Sequence, residues 1–210
     1  KYCANNFPNG KVFLFVDEFT NYNEYELGVK AFLLLTKMGY KVMIPKHVES
    51  GRTYISKGLL RSAKKIANEN VLLLKDFVGE LTPLIGIEVS AILSFRDEYL
   101  DLVEANLKSS AEKIAASTFT IEEFITAEFK NGKISSSSFS ESPKNILLHG
   151  HCQQKAIATT KPTIEALSIP KNYTVEEIPS GCCGMAGAFG YEKEHYDLSM
   201  KVGELVLFPT

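Results

Sequence analysis

The hydrophobic and polar positions in the first half of the chain predict strands and helices in alternation. Continuous apolar runs at residues 11–16, 41–44 and 71–74 are typical of buried parallel strands. Between them, apolar side chains recur at helical spacing, first across residues 27–38 and then across residues 59–67. Because strands and helices alternate, we expect right-handed crossovers and a parallel sheet.

The second half of the chain has the same pattern. An apolar strand at residues 145–148 leads to Cys152, a helix is predicted at residues 163–167, and a second strand is predicted at residues 173–178. A last helix, predicted at residues 192–206, turns four apolar side chains inward: Leu198, Val202, Leu205 and Val206. The pattern therefore predicts a second α/β unit.

The turns of the two halves also correspond. Asp17 follows the first strand of one half as Cys152 follows the first strand of the other, and residues 49–50 stand where Cys182 and Cys183 stand. The separations agree, at 49 − 17 = 32 residues and 182 − 152 = 30 residues. We interpret this agreement as an internal duplication; the alternative is a chance similarity between two α/β units.

The predicted fold class is therefore α/β, with two pseudo-equivalent three-layer units that each hold a small parallel sheet. We expect an approximate two-fold relation between the units. The first unit is expected at residues 1–101 and the second at residues 144–210. Residues 102–143 are helical in pattern and then polar and serine-rich, so we expect a helical connector followed by a surface loop.

Composition narrows the class of protein. The chain has 210 residues, of which 45% are hydrophobic and 23% charged, and its formal net charge is -2. This balance gives no electrostatic case for binding nucleic acid or an anionic membrane surface. No apolar run is long enough for a transmembrane segment. The four cysteines are unevenly placed, which differs from a secreted disulfide framework, so we expect a reducing, cytoplasmic environment.

The candidate chemistry lies in two cysteine segments of the second half. Cys152 follows an apolar strand, and Cys182 and Cys183 are adjacent in a glycine-rich turn, residues 181–187. Neighbouring cysteines form a disulfide only with strain, whereas a sharp glycine turn lets both thiols face one centre. Thiolates suit zinc, cuprous copper and iron–sulfur clusters. The alternative is a pair of small buried apolar side chains.

The predicted parallel sheet suggests how these segments meet. Cys152 and Cys182 each follow a strand, and ligands of parallel α/β units gather at the carboxyl ends of strands. We also expect the glycine-rich turn to open the last helix and direct backbone N–H groups at the thiols. A cluster needs more ligands than three cysteines supply, and His149 and His151 are the local candidates to complete the set. Cys3 has no motif around it and is interpreted as incidental.

Cys152, Cys182, Cys183 and Gly184 resemble the second copy of the motif in the cysteine-rich CCG domain family. That family includes the B subunit of heterodisulfide reductase and iron–sulfur subunits of glycolate, lactate and glycerol-3-phosphate oxidases. The resemblance implies that these residues bind a cofactor, a [4Fe-4S] cluster, through the three cysteines. It also implies a later cysteine beyond the end of this sequence, so we expect an incomplete cluster site and no activity in the isolated fragment.

Three further segments, at residues 17–23, 49–52 and 95–99, resemble the C-terminal region of fused FAD-linked oxidases of the D-lactate dehydrogenase type. The resemblance implies partners in the same parent chain, a FAD-oxidase module and a ferredoxin-like module. It further implies oxidation of a 2-hydroxy acid of the D-lactate or glycolate type at FAD. Electrons would then pass to a respiratory acceptor at the inner face of the membrane. These residues contain no FAD fingerprint, so FAD is expected in the parent chain alone.

The first copy departs from the family pattern. Its cysteine positions carry Asp17, Glu49, Ser50 and, near the later position, Ser90-Ala91, so we expect no cluster in the first unit. Two other functions stay open for the second unit: a thiol–disulfide redox domain of the heterodisulfide type, and a zinc-binding structural module. Residues 95–98 have no assigned chemistry and are interpreted as a solvated helix end or a salt bridge between units.

Overall fold

The computed structural model describes residues 7–187 and 189–210. Contacts divide the chain into two compact units, with the boundary between Ile134 and Ser135. The first unit contains a four-stranded parallel sheet in the order β2-β1-β3-β4. Its strands are β1 (Lys11–Phe15), β2 (Lys41–Met43), β3 (Leu84–Gly86) and β4 (Thr118–Thr120). The register pairs Phe13 with Met43 on one side and with Leu84 on the other.

Helices within the described part of the first unit connect and cover these strands. They are α1 (Glu18–Tyr22), α2 (Tyr25–Lys37), α3 (Arg52–Ser56), α4 (Leu60–Leu74), α5 (Val89–Leu93), α6 (Glu98–Leu102), α7 (Lys108–Ala116) and α8 (Ile121–Lys130), with a 3-10 turn at Ala105–Leu107. A capping box begins α8, where the Thr120 hydroxyl accepts from the Glu123 N–H and the Glu123 carboxylate accepts from the Thr120 N–H.

The strand predicted at residues 71–74 is wrong, because these residues form the last turn of α4. Ala63, Ala67, Val71 and Leu74 recur every three or four residues and are all buried. One helical stripe therefore continues through the apolar run, and the third strand begins ten residues later at Leu84. The segment expected to be a helical connector supplies β4, which pairs with β3 at the edge of the sheet.

A carboxylate is buried among polar partners on α8. Glu128 accepts hydrogen bonds from the Tyr40 hydroxyl and from Asn131, and its Oε2 lies 2.7 Å from the Lys133 ammonium. Burial raises the pKa of Glu128, but the hydrogen bonds from Lys133, Tyr40 and Asn131 outweigh it and leave the pKa below its ordinary value. The folded state therefore stabilises the charged form of this side chain.

The second unit is built on a two-stranded parallel sheet of β5 (Lys144–Leu148) and β6 (Tyr173–Glu177). Its helices are α9 (Cys152–Ile157), α10 (Lys161–Leu167) and α11 (Tyr196–Gly203), with 3-10 turns at Ser136–Ser138, Phe189–Tyr191 and Lys193–His195. Both predicted strands and the predicted helix at residues 163–167 are confirmed. The apolar run ahead of Cys152 and the alternating segment ahead of Pro179 identify this strand pair correctly.

The apolar core of the second unit is small. Ile169, Pro170 and Ile178 are the buried apolar side chains among its described residues, and Leu147 on β5 is 54% exposed. The predicted inward face of the last helix is wrong, since Leu198 is 54% and Leu205 77% exposed. Instead Ser199 and Gly203 are the buried residues of α11. Ser199 packs closely against Gly184 and Gly190 of the preceding segment, and Gly203 packs against the ring of Phe208, which follows the helix.

The α/β class with parallel strands is confirmed, with four strands in one sheet and two in the other across the described residues. The internal duplication stays a prediction. Among the helices that the structure describes, none is long and apolar enough to cross a membrane.

Candidate functional site

The first half of the candidate site is the turn from β5 into α9. Gly150 lies in this turn without room for a side chain, because a Cβ there would stand 2.5 Å from Thr160 Cγ2 and 2.7 Å from Glu177 Oε1. His151 then caps the helix, with its Nδ1 accepting from the Gln153 N–H at 3.1 Å. Cys152 consequently becomes the first residue of α9, just past the carboxyl end of β5.

The second half of the site is the segment after β6, and buried Ser180 ties it to the first half. The Ser180 hydroxyl is 2.5 Å from His149 Nδ1, and the Lys155 ammonium donates to the Ser180 carbonyl at 2.8 Å. His149 lies at the end of β5 and Lys155 lies on α9. We call these three residues the Ser180 clamp. It fixes the start of the segment that carries Cys182 and Cys183.

Cys152 and the segment that carries Cys182 lie beside each other. The Cys152 Sγ donates to the carbonyl of Gly181, the residue before Cys182, at 3.9 Å. The Cys182 Sγ accepts from the Gly184 N–H at 3.3 Å. Cys152 and Cys182 are exposed, and Cys183 is partly exposed. The structure thus places Cys152 next to the segment of the two other cysteines, while a single pocket shared by all three thiols stays a prediction.

Electrostatics at this place favour neutral groups. Burial raises the pKa of the Cys152 thiol, and neighbouring Cys182 and Cys183 raise it further, while Lys155 opposes them. Burial also lowers the pKa of His149, with Lys155 and His151 adding to the effect. Each added negative charge on the three sulfurs repels the others. A bound cation would reverse this preference by stabilising the thiolates.

Gly184 has a packing role that its sequence context does not reveal. Its φ is +92°, and a Cβ on it would lie 2.2 Å from the backbone oxygen of Ser199 on α11. A Cβ on Gly190 would lie 2.6 Å from the Ser199 hydroxyl. Ser199 therefore packs against two glycines. The expectation that the glycine-rich turn opens the last helix is wrong, because two 3-10 turns separate it from α11 at Tyr196.

The donor atoms suit a soft metal, but they do not form a complete ligand set. Within residues 7–187 and 189–210, no group of three or more His, Cys, Asp or Glu side chains is arranged to hold a metal ion. His149 Nδ1 and His151 Nδ1 contact Ser180 and Gln153 respectively. Ligation by Cys152, Cys182 and Cys183 therefore stays a prediction. Cys3 lies outside the described residues.

The corresponding place in the first unit holds oxygen donors and acceptors. Asp17 is fully buried after β1, where its Oδ1 accepts from the Phe19 and Thr20 N–H groups, each at 2.9 Å, and caps α1. Ser50 is fully buried after β2. Its N–H and hydroxyl both donate to the Glu18 carboxylate, at 2.8 and 2.7 Å. Glu18 thus links the ends of two adjacent strands.

Sequence reasoning missed the residues that complete this network. The Tyr99 hydroxyl donates to the Ser50 carbonyl at 2.8 Å and accepts from the Asn70 amide at 2.9 Å. The same amide donates to the Glu49 carbonyl at 2.8 Å, and Asn70 Oδ1 accepts from the Val48 N–H at 3.0 Å. Burial raises the pKa of Tyr99 above its ordinary range. A buried Asn in an otherwise apolar helical stripe was the available signal.

The segment at residues 95–98 pairs within the first unit. Arg96 forms a bidentate contact with Glu123 at 2.9 and 2.7 Å, and Glu98 pairs with Arg52. Since all four residues precede Ile134, the interpretation as a salt bridge between units is wrong. Asp97, exposed at the start of α6, agrees with a solvated helix end. These ion pairs hold α3 and α8 to the turn between α5 and α6.

Comparison with known proteins finds relatives among dehydrogenases. The chain is 27% identical over 187 residues to a subunit of the anaerobic glycerol-3-phosphate dehydrogenase of Escherichia coli (strain K12), covering 88% of this chain and 46% of that subunit. It is 25% identical over 199 residues to D-2-hydroxyglutarate dehydrogenase of Haemophilus influenzae, covering 92% of this chain and 19% of that protein. The E. coli K12 D-2-hydroxyglutarate dehydrogenase is 23% identical over 190 residues, with 90% and 18% covered.

The chain spans less than half the length of these relatives. No family model matches it, and no solved structure matches it. The chain is similar to one part of larger dehydrogenases.

Proposed function

We propose that the second unit holds an iron–sulfur cluster on Cys152, Cys182 and Cys183 and transfers electrons within a larger dehydrogenase. The observation that carries the proposal is the contact of the Cys152 Sγ with the Gly181 carbonyl, which places Cys152 beside the Cys182-Cys183 segment past the ends of two adjacent parallel strands. The relatives support it, because they are named as dehydrogenases. When bound, a cluster supplies one-electron chemistry.

The residues of this chain would have distinct tasks around such a group. The Ser180 clamp fixes the segment that carries two of the thiols. The Gly184 N–H already points at the Cys182 sulfur, and hydrogen bonds to ligating sulfurs tune a cluster's potential. The Lys155 cation near Cys152 offsets thiolate charge. A [4Fe-4S] cluster needs a fourth donor, which we assign to a later cysteine of the parent chain, as in the CCG domain family.

The reaction served by this electron path is proposed from the relatives and the family resemblance. D-2-hydroxyglutarate is a 2-hydroxy acid, as are D-lactate and glycolate, so we propose a parent enzyme that oxidises such an acid at FAD. FAD would be held by another module of the parent chain. The second unit would then lie between that module and a respiratory acceptor. In this proposal the first unit is the duplicated partner that has lost its cysteines.

Anaerobic reconstitution with iron and sulfide tests the cluster. Visible absorbance with bound iron and sulfide should appear in the wild-type parent chain, which supplies the fourth donor, and fall in its Cys152→Ser and Cys182→Ser variants. Cys3→Ser is the matched control, since that cysteine has no motif context, and it should leave iron content unchanged. Equal iron in wild type and Cys182→Ser, with far-UV circular dichroism confirming that both fold, would defeat the proposal.

A structural zinc site is the second candidate, and the small core of the second unit favours it. Three buried apolar side chains among the described residues are few for residues 135–210. Domains below about 70–80 residues commonly rely on a metal or disulfides for stability. Tight zinc binding without colour, together with no uptake of iron and sulfide, supports this candidate over the cluster.

A further inference from the structure

Cys152 and Cys182 form a two-thiol arrangement whose chemistry needs no metal. The Cys152 Sγ contacts the backbone carbonyl of Gly181, the residue before Cys182, at 3.9 Å. Both side chains are exposed, and they lie on separate segments that follow β5 and β6. We infer that Cys152 and Cys182 form a reversible disulfide when the metal-free protein meets a hydroperoxide, with Cys183 remaining a thiol. This inference concerns the cysteines of the proposed cluster site, but it does not require that a cluster binds.

The geometry favours Cys182 over Cys183 as the partner. The Cys152 Sγ lies 3.9 Å from the carbonyl oxygen of Gly181, the residue bonded to Cys182. Cys182 is exposed, whereas Cys183 is partly exposed. A disulfide between the adjacent Cys182 and Cys183 would require a strained peptide geometry. Closing the Cys152–Cys182 bond requires the two sulfurs to approach to about 2 Å.

The segment around Cys182 has room for this movement. A Cβ at Gly181 would meet nothing within 4 Å, so the backbone ahead of Cys182 is not packed on that side. The Ser180 clamp anchors the segment before this point, and Gly184 packs against Ser199 after it. The short stretch between these anchors carries the thiol that must move.

The chemical step is balanced in two stages. The Cys182 sulfur, as thiolate, attacks one oxygen of the hydroperoxide and breaks the O–O bond. For hydrogen peroxide, the leaving hydroxide takes a proton and departs as water, and Cys182 becomes a sulfenic acid. The Cys152 sulfur then attacks the Cys182 sulfur and loses its proton, and a second water leaves. Two thiols are oxidised to one disulfide, and one peroxide is reduced to two waters.

The disulfide would remove two of the three cysteines from any metal site and cross-link the unit with the small core. It joins the start of α9 to the segment after β6, which the two-stranded sheet otherwise holds together. A dithiol reductant restores both thiols. The oxidised and metal-bound states of these cysteines therefore exclude one another.

Peptide mapping of the full chain tests the inference. The reduced, metal-free protein is treated with hydrogen peroxide, alkylated and digested with trypsin, with a portion reduced by dithiothreitol as reference. We expect the peptide at residues 145–155, which contains Cys152, to be linked to the peptide at residues 172–193. Since the second peptide contains both Cys182 and Cys183, variants must assign the bond.

Cys183→Ser should keep the linked peptide, and Cys182→Ser should lose it. No linked peptide in the wild type, or a link that persists in Cys182→Ser, overturns the inference. Circular dichroism shows whether each variant folds. If a variant does not fold, the wild-type protein is titrated with peroxide instead, and fragmentation of its linked peptide assigns the bond. Because no metal is present, failure here leaves the cluster proposal untouched, and failed reconstitution leaves this inference untouched.

Discussion

Replacing Gly184 with alanine tests whether the glycine of the Cys-Cys-Gly motif serves helix packing. The wild-type residue has a φ of +92°, and non-glycine residues pay roughly 1–2 kcal/mol in the left-handed region. The new Cβ would lie 2.2 Å from the Ser199 carbonyl oxygen, whereas ordinary contacts begin at 3.4 Å. The helix α11 must therefore retreat by 3.4 − 2.2 = 1.2 Å. Overpacking of this kind adds about 1–3 kcal/mol.

We therefore expect Gly184→Ala to lower the free energy of unfolding by about 2–5 kcal/mol. Gly181→Ala is the matched control, because it lies on the other side of the cysteine pair, a Cβ there meets nothing within 4 Å, and its φ is not positive. That variant should stay within about 0.5 kcal/mol of wild type.

Urea unfolding followed by far-UV circular dichroism measures the two free energies. Hydrogen exchange localises the change, and we expect faster exchange of α11 amides in Gly184→Ala with the four-stranded sheet unaffected. If both glycine variants lose the same stability, the packing argument for Gly184 is refuted. If exchange accelerates in the first unit instead, the assignment of the strain to Ser199 is refuted.

Three other predictions concern the polar networks. Asn70→Ala should destabilise the first unit by about 2–4 kcal/mol in urea unfolding, because the buried Tyr99 hydroxyl and the half-buried backbone of Val48 and Glu49 lose their bonds to this side chain. Asn68→Ala, which removes one exposed bond, should cost far less, and equal losses would contradict this. Because the pKa of Glu128 is lowered in the folded state, its charged form stabilises the fold at pH values above the unfolded-state pKa. This stabilisation is lost as the pH falls through the folded-state pKa. Glu128→Gln should therefore flatten the fall in stability between about pH 5 and 2. If wild type and Glu128→Gln lose stability in parallel as the pH falls, Glu128 does not stabilise the fold in this way. Ser180→Ala should speed hydrogen exchange at residues 181–187, and unchanged exchange would show that the clamp does not hold the segment.

The sequence predicted what depends on local patterns. The strands around residues 145–148 and 173–178 were found because apolar runs end at polar or proline positions, and Cys152 and Cys182 were expected together because both follow parallel strands. Residues 71–74 were misassigned because four consecutive apolar residues fit a strand as well as the end of a buried helix. The three-residue β4 is too short for a periodic signal.

The missed parts depend on distant contacts. Tyr99 completes a network with Ser50, a residue 49 positions earlier, and no local pattern encodes that pairing. The sequence indicated that the glycines of the candidate site are turn residues, and Gly184 is one. Their packing against Ser199 of α11 could be seen only in the structure. Leu198 points outward because the face of α11 that carries the small residue Ser199 is the face that packs inward.

Because the core of the second unit is small, the state of its cysteines affects how fast the protein is degraded. Few apolar side chains are fully buried among the described residues of this unit, so local opening is governed strongly by whatever the cysteines hold. A ligand bound to the closed form lowers the open population in proportion to its saturation, and a cross-link restrains the open chain. Cellular proteases cut open chains, so the abundance of this protein would track the supply of whatever occupies its cysteines.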